Sequence, residues 1–179
     1  HDTCRRQRQM CIRDRVNAEH SQTVIEKLQN TIRGKNVCTY VPLESEININ
    51  MYLKGHAVLS TTCLQDEEIR ICIYEEPFEK NNFNVFQPVN LKIIDDVDIF
   101  LVPGVGFDKK GTRLGKGSGI YDKLLSNYLN STFIGVTDIN HLVEHIPYED
   151  HDIQMHGLLM HDEFIDINFD SAPTLTRGE

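Results

Sequence analysis

The sequence predicts an α/β fold in three layers, with helices on both faces of a mostly parallel sheet. Three observations predict this class. Apolar runs rich in β-branched residues alternate with segments of helical periodicity, as in parallel sheets. The run at 97–102 is apolar throughout except for one Asp, which is typical of a central strand. A glycine-rich segment follows that run and precedes a helical pattern, the order in which such folds place a ligand-binding loop.

The first predicted helix follows Asn17, a plausible N-cap, and ends at Gly34. Its apolar residues, Val24, Leu28 and Ile32, recur every four positions. That spacing places them on one face of a helix, which can pack on a sheet.

A short strand is predicted at 37–41, followed by a second helix that Ser45 caps. The apolar side of this helix includes Ile47 and Met51, and Gly55 ends it. The later elements follow from the same two periodicities. They are strands at 57–59 and 69–74, a polar connection at 75–84, the central strand at 97–102, a helix at 121–129 and a strand at 132–136.

Composition sets limits on partners and compartment. The net charge is −9 and hydrophobic residues make up 40% of the chain, which disfavours nucleic acid or an anionic membrane as the main partner. No apolar run reaches the roughly 18 residues of a membrane span, and no secretory signal opens the chain. The five cysteines form no C-x-x-C pair, which is typical of reduced thiols. We expect a cytoplasmic monomer, with a mitochondrial location as the alternative.

The N-terminal residues 1–15 differ from the rest. Residues 4–15 hold five arginines without an apolar face. A nucleic-acid-binding arm is one interpretation, but the acidic remainder of the chain opposes it. We expect a non-native or disordered tail at 1–15, followed by one domain at 16–179.

The glycine-rich segment has the composition of a phosphate-binding loop. Gly115, Gly117 and Gly119 would let the backbone approach a phosphate, and Arg113 and Lys116 add positive charge. The G-x-G-x-G spacing matches neither the dinucleotide-binding fingerprint nor the P-loop. A mobile surface loop therefore remains an alternative from spacing alone.

A longer run containing this loop resembles a family signature. Residues 103–122, P-G-V-G-F-D-K-K-G-T-R-L-G-K-G-S-G-I-Y-D, resemble the P-G-[LV]-[AG]-F-D-x-x-G-x-R-L-G-x-G-x-G-x-Y-D pattern of 5-formyltetrahydrofolate cyclo-ligases. These proteins are also called methenyltetrahydrofolate synthetases. Weaker similarity extends over 21–167. The resemblance implies a Rossmann-like, NagB/CoA-transferase-like form of the fold.

The resemblance also implies an activity and its partners. The reaction would be the ATP-dependent cyclisation of 5-formyltetrahydrofolate to 5,10-methenyltetrahydrofolate, with release of ADP and phosphate. The partners would be ATP, the folate substrate and Mg²⁺. Two alternatives remain: the first is favoured by the basic N-terminal segment of the family being missing or replaced here, and the second supposes that the glycine-rich loop only mimics the family. The chain could be a catalytically impaired member that binds folate or nucleotide, or a phosphosugar- or CoA-binding α/β module.

Residue roles follow from the same resemblance. The catalytic residues would be Arg113, Lys116 and Asp122. The ATP-binding residues would be Arg113, Leu114, Gly115, Lys116, Gly117, Ser118, Gly119, Ile120 and Tyr121. The folate-binding residues would be Glu46, Lys116, Gly117, Ser118, Gly119 and Ile120.

The resemblance further implies that Asp122 and Asp152 bind magnesium. Two carboxylates with phosphate oxygens and water suit that ion. Asp152 has a simpler interpretation as a turn residue after Pro147, and Glu46 as part of a helix start. His141 and His145 are four apart and would share a helix face. We interpret them as solvated histidines rather than a metal pair.

Overall fold

The computed structural model describes residues 18–117 and 119–168. The predicted tail at 1–15 and the Asn17 cap lie outside these residues. Helices are α1 (Gln22–Ile32) and α2 (Ile120–Leu125), with 3₁₀ turns at Asn50–Tyr52 and Ile139–His141. Strands are β1 (Asn36–Thr39), β2 (Val58–Gln65), β3 (Glu68–Ile73), β4 (Phe78–Lys80), β5 (Phe86–Pro88), β6 (Ile93–Ile94), β7 (Ile99–Pro103), β8 (Gly106–Asp108), β9 (Arg113–Leu114), β10 (Thr132–Val136), β11 (Leu142–Val143), β12 (Gly157–Leu159) and β13 (Phe164–Asp166).

The main sheet has eight strands in the order β13-β12-β10-β7-β1-β2-β3-β6. The five strands from β12 to β2 run parallel. Strands β13, β3 and β6 pair antiparallel at the two edges. Strand β7 lies inside the parallel part and all five of its residues are buried, which confirms the predicted central strand. A three-stranded sheet, β11-β8-β9, and the hairpin β4-β5 lie apart from the main sheet.

Within the described residues, each face of the main sheet carries one helix. Side chains of β7 alternate, so that Ile99 and Leu101 join one core cluster while Phe100 and Val102 join the other. The first cluster includes Val24, Leu28 and Ile32 of α1. The second includes Leu124 and Leu125 of α2. The predicted three-layer arrangement is therefore confirmed, and the described residues contain fewer helices than the sequence predicts for them.

Two helix predictions need correction. Helix α1 is capped by Ser21, whose hydroxyl accepts the Val24 N–H at 3.3 Å, so it begins later than predicted from Asn17. No helix follows Ser45; the described chain forms a loop and then the turn Asn50–Tyr52. Side chains in this loop bond to the local backbone, including Asn48 to the Asn50 N–H at 3.1 Å. Such bonds compete with helix formation.

The strands at 57–59 and 69–74 are parts of one longer hairpin. Strand β2 continues to Gln65 and pairs antiparallel with β3. Asp66 and Glu67 turn the chain with φ angles of 51° and 64°. The connection predicted at 75–84 contains β4, which pairs with β5. Helix α2 ends at Leu125, four residues before the predicted end.

Candidate active site

A cavity of about 420 Å³ opens where the parallel strands end. Its walls come from the segments after β1, β7 and β10, from strand β2, from the β4-β5 hairpin and from the glycine-rich segment with α2. The carboxyl edge of a parallel sheet is the usual ligand site of this architecture. The cavity also has the size typical of small-molecule sites.

Arg113 is a fixed, desolvated cation in the cavity wall. Its Nε donates to the carbonyl of Pro103 at 2.7 Å, and its guanidinium carbon lies 4.9 Å from the centre of the Tyr121 ring. Burial lowers the pKa of Arg113, while Tyr121, Asp122 and Glu46 act in the opposite direction. Arginine stays charged under these conditions. The remaining guanidinium N–H groups suit an anionic ligand such as a phosphate.

Glu46 lies in the same cavity and faces Lys116. One carboxylate oxygen accepts the Leu43 N–H at 2.9 Å, and the other lies 3.5 Å from the Lys116 ammonium. The hydroxyl of Tyr40 donates to the carbonyl of Ile47 and fixes the loop that carries Glu46. Residues 70 positions apart thus form a polar pair at the cavity wall.

The residues predicted to bind ATP or folate separate into three groups. Those that line the cavity are Glu46, Arg113, Lys116, Ile120 and Tyr121. Those that lie in the loop without lining the cavity are Leu114, Gly115, Gly117 and Gly119. Ser118 lies outside the described residues. Burial raises the pKa of the Tyr121 phenol. Tyr121 is therefore an uncharged part of the cavity wall, and its ring packs against the Arg113 guanidinium.

Part of the signature shapes the loop instead of facing the cavity. The buried carboxylate of Asp108 accepts three backbone N–H groups at 3.0 Å, those of Lys110, Thr112 and Ile146. Gly111 has a φ of +87°, and a Cβ there would lie 2.5 Å from the carbonyl oxygen of Met155. These residues fix the turn that leads into Arg113.

Asp122 and Asp152, the predicted magnesium ligands, do not line the cavity. Asp122 lies in the first turn of α2 and interacts electrostatically with Arg113. The Asp152 carboxylate accepts the Glu149 N–H at 2.9 Å and lies 3.7 Å from His151 Nε2. Within 18–117 and 119–168, no three His, Cys, Asp or Glu side chains could hold a metal together. The two carboxylates suit Mg²⁺ chemically, with phosphate oxygens and water completing the shell; that they share one ion stays a prediction.

Sequence reasoning missed an Asp–His pair in the cavity wall. Asp138 follows β10, and its carboxylate oxygens lie 3.0 and 3.2 Å from Nδ1 of His141. Both residues line the cavity. The signal was available, since Asp138 comes two residues after the end of the predicted strand at 132–136, on the side where the carboxyl ends of the strands meet. His145 is exposed and beyond β11, so the two histidines do not share a helix face.

The β4-β5 hairpin forms a further part of the cavity wall, which the sequence did not predict. Its residues in the cavity are Asn81, Phe83, Asn84 and Val85. The sequence gives no local sign of this role, because the segment is polar and short of β-branched residues.

This fold and this cavity define an α/β protein with a cavity at the carboxyl edge of a parallel sheet, whose wall carries the cationic side chains of Arg113 and Lys116. The sequence profile of the 5-formyltetrahydrofolate cyclo-ligase family matches residues 3–161. The chain therefore belongs to the 5-formyltetrahydrofolate cyclo-ligase family, as the signature predicted.

Individual relatives agree with the family match. A 5-formyltetrahydrofolate cyclo-ligase of Haemophilus influenzae is 27% identical over 163 residues, covering 79% of this chain and 82% of the relative. One from Mus musculus is 28% identical over 151 residues, with 72% and 74% covered. The NMR structure of Aquifex aeolicus 5,10-methenyltetrahydrofolate synthetase is similar with a TM-score of 0.67 at 24% identity, covering 89% of this chain and 90% of the other. That likeness shows the fold. In the described part of the chain, no helix has the length and apolarity to cross a bilayer.

Proposed function

We propose that this protein catalyses the ATP-dependent cyclisation of 5-formyltetrahydrofolate to 5,10-methenyltetrahydrofolate, releasing ADP and phosphate. The observation that carries the proposal is the cavity that contains both the Arg113 guanidinium and the Glu46–Lys116 pair. A fixed cation suits the phosphates of ATP, and a carboxylate suits the N–H edge of a pterin ring. Family membership supplies the reaction that uses both ligands.

The chemistry needs positioning and charge, and no protein nucleophile. A formamide oxygen is a poor leaving group. Transfer of the γ-phosphoryl group of ATP to that oxygen gives a reactive imidate phosphate and releases ADP. The neighbouring folate nitrogen then attacks the formyl carbon, the ring closes and phosphate leaves. Phosphoryl transfer of this kind depends on alignment and on neutralising the charge of the phosphate oxygens.

Arg113 and Lys116 would neutralise that charge. Arg113 is immobilised by its bonds to Pro103 and its contact with Tyr121, so it loses little side-chain entropy when a phosphate binds. Lys116 is more exposed and reaches Glu46 at 3.5 Å. Exposed ion pairs of this kind contribute about 0–1 kcal/mol. Lys116 can therefore exchange Glu46 for a phosphate oxygen at little cost. Helix α2 has six residues, so side-chain charge matters more here than a helix dipole.

Glu46 would bind the pterin edge of the folate. Its carboxylate is held by the Leu43 N–H and accepts paired N–H groups in a bidentate manner. The side chain is 18% exposed, which leaves it accessible from the cavity and largely screened from bulk water.

Magnesium would be held by Asp122 and Asp152 together with phosphate oxygens, and when bound it would neutralise charge on the ATP phosphates. We also infer a cytoplasmic monomer, with the mitochondrion as the alternative location. The buried thiols of Cys38, Cys63 and Cys72 form no disulfide, which fits a reducing compartment.

The test is formation of methenyltetrahydrofolate, followed by its near-ultraviolet absorbance, with and without ATP. The wild-type protein should form it only with ATP and with one ADP per product. Glu46→Gln should raise KM for the folate by about tenfold, the effect of a lost charge-assisted hydrogen bond of about 1.4 kcal/mol, and leave KM for ATP unchanged.

Glu44→Gln is the matched control, because Glu44 is two residues away and exposed; its kinetics should equal those of the wild type. Binding of both ligands without turnover would identify a catalytically impaired member instead. An equal rise in both KM values for Glu46→Gln would remove Glu46 from the folate site.

A further inference from the structure

We propose that His141, held by Asp138, accepts the proton that the folate nitrogen loses when the ring closes. This inference rests on the proposed function and adds a catalytic base to it. The pair lies at the carboxyl end of β10, in the wall of the cavity that holds Arg113 and Glu46.

The geometry of the pair is that of an oriented imidazole. Asp138 is buried, and its Oδ1 accepts the Asn140 N–H at 2.8 Å while lying 3.0 Å from His141 Nδ1. These contacts fix the carboxylate and, through it, the ring of His141. A carboxylate beside Nδ1 favours the tautomer with the hydrogen on Nδ1, which places the lone pair of the neutral ring on Nε2. The His141 side chain is 33% exposed, so a ligand in the cavity can contact it.

Ring closure requires such a base. The attacking nitrogen carries one hydrogen, and on forming its bond to the formyl carbon it becomes positively charged. The imidazole takes that proton, and the electron pair of the N–H bond stays on nitrogen. The lone pairs of the two ring nitrogens then form partial double bonds to the former formyl carbon. As they do so, the carbon–oxygen bond breaks and phosphate leaves. The imidazolium returns its proton to the departing phosphate or to water, so protons and charge balance.

The other titratable side chains in the cavity wall are less suited to this step. They are Tyr40, Glu46, Cys63, Arg113, Lys116 and Tyr121. Burial raises the pKa of both tyrosines, so they keep their protons. Glu46 is engaged by Leu43 and Lys116. Cys63 lies in strand β2 and is only 1% exposed, so its thiol is less accessible to a ligand than the His141 ring.

A single-turnover experiment separates ring closure from phosphoryl transfer. Enzyme in excess over folate is mixed with ATP, and ADP and methenyltetrahydrofolate are measured in the same samples. In His141→Gln, ADP formation should stay within about threefold of the wild type. Methenyltetrahydrofolate formation should fall by about 100-fold, the size of a typical general-base contribution. His145 is a nearby exposed histidine, and the variant His145→Gln is the control, which should behave as the wild type.

Two further variants distinguish catalysis from structure. Added imidazole should restore ring closure to His141→Ala and leave the His145→Gln control unchanged. Asp138→Asn keeps an acceptor for Asn140 but lacks the charge; it should lower kcat by about tenfold with KM unchanged, as expected for a positioning residue.

The outcomes separate this inference from the proposed function. If the wild-type protein forms no methenyltetrahydrofolate from ATP and 5-formyltetrahydrofolate, both are wrong. If the wild type is active and His141→Gln is equally fast, the proposed function stands and His141 is not the base. The same holds if ADP and methenyltetrahydrofolate fall by one common factor, since that would place His141 in substrate binding or phosphoryl transfer.

Discussion

Single residues of the glycine-rich segment have two kinds of role. Arg113 and Lys116 face the cavity, whereas Asp108 and Gly111 hold the turn that precedes them. From sequence alone all four belong to one signature. The structure therefore divides the signature into a part that lines the cavity and a part that supports it.

Gly111 gives a stability test of the supporting part. An Ala there meets two penalties, a left-handed φ of +87° and a Cβ 2.5 Å from the Met155 oxygen. The first costs about 1–2 kcal/mol and the second about 1–3 kcal/mol. Gly55 has a similar φ of +80° and open space around its Cβ, so Gly55→Ala is the matched control.

Urea unfolding should show Gly111→Ala destabilised by about 3 kcal/mol and Gly55→Ala by about 1 kcal/mol, with unchanged m-values. Equal losses for the two variants would mean that the contact with Met155 adds nothing. The difference between them measures the clash alone, because the backbone penalty is shared.

The sequence indicates which residues of the glycine-rich segment carry charge, but not which of them meet in space. Glu46 and Lys116 are far apart in the chain, and only the folded sheet brings them to 3.5 Å. Asp138 could have been found as a residue just beyond the end of a predicted strand. His141 becomes informative only once its ring is seen beside that carboxylate.

At the scale of elements, the apolar strands were predictable and the polar ones were not. Strand β7 is an uninterrupted apolar run and is buried, so the sequence alone identifies it as a strand of the core. Strand β2 contains Ser60, Thr61 and Thr62, which look like a loop in sequence yet are buried. Thr62 lines the cavity and hydrogen-bonds Tyr121. Ser60, in contrast, uses its hydroxyl within the sheet, where it donates to the Val37 carbonyl at 3.3 Å. The turn after the strand, Asp66-Glu67, lacks the Gly or Asn that usually signals positive φ.

Helix α1 begins against two histidines, the buried His20 and the partly exposed His161. The His20 ring lies 4.4 Å from that of His161 and 5.3 Å from that of Tyr52, between centroids. Ser21, the N-cap, donates its backbone N–H to the His161 carbonyl at 2.8 Å. Burial, and next the charge of His161, lower the pKa of His20 from 6.5 to about 4. The start of the helix is therefore sensitive to acid.

The sign of that sensitivity follows from the lowered pKa. Between pH 6.5 and about 4, His20 is protonated in the unfolded chain but remains neutral in the folded chain. The free energy of unfolding therefore falls as the pH falls through this window. Well above pH 6.5 His20 is neutral in both the folded and the unfolded chain, and the effect vanishes. From pH 7 to pH 5 the loss attributable to His20 should be about 2 kcal/mol.

The variant His20→Phe keeps an aromatic ring and removes the titration. Its unfolding free energy should fall by about 2 kcal/mol less than that of the wild type between pH 7 and pH 5. His156, whose pKa burial also lowers, contributes in the same direction in both proteins and cancels. His151→Gln is the control, since that side chain is 74% exposed. A pH dependence of His20→Phe identical to the wild type would show that His20 is not the sensor.

At the scale of the molecule, the cavity joins parts of different stability. Its floor is the parallel sheet, where β7 and β10 are buried throughout. Its rim includes the β4-β5 hairpin, which is tied to β2 by the Gln87 side chain accepting the Leu64 N–H at 2.8 Å. The three-layer core was predictable, because alternating strands and helices allow few arrangements. The rim was not, because its position depends on contacts between segments that are distant in sequence.

Hydrogen exchange should resolve these two parts. In the free protein, amides of β7 and β10 should exchange only through global unfolding, whereas those of the β4-β5 hairpin should exchange faster through local opening. 5-Formyltetrahydrofolate at about 100 times its Kd should slow hairpin exchange by up to about 100-fold, since it stabilises the closed form by about 2.7 kcal/mol. ATP alone should slow exchange in the glycine-rich segment instead, around Arg113, because the proposed phosphate contacts lie there.

Glu44→Gln should reproduce the wild-type pattern, and Glu46→Gln should need more folate for the same protection. Folate-dependent protection of the glycine-rich segment with none in the hairpin would place the pterin elsewhere in the cavity and remove the hairpin from the folate site.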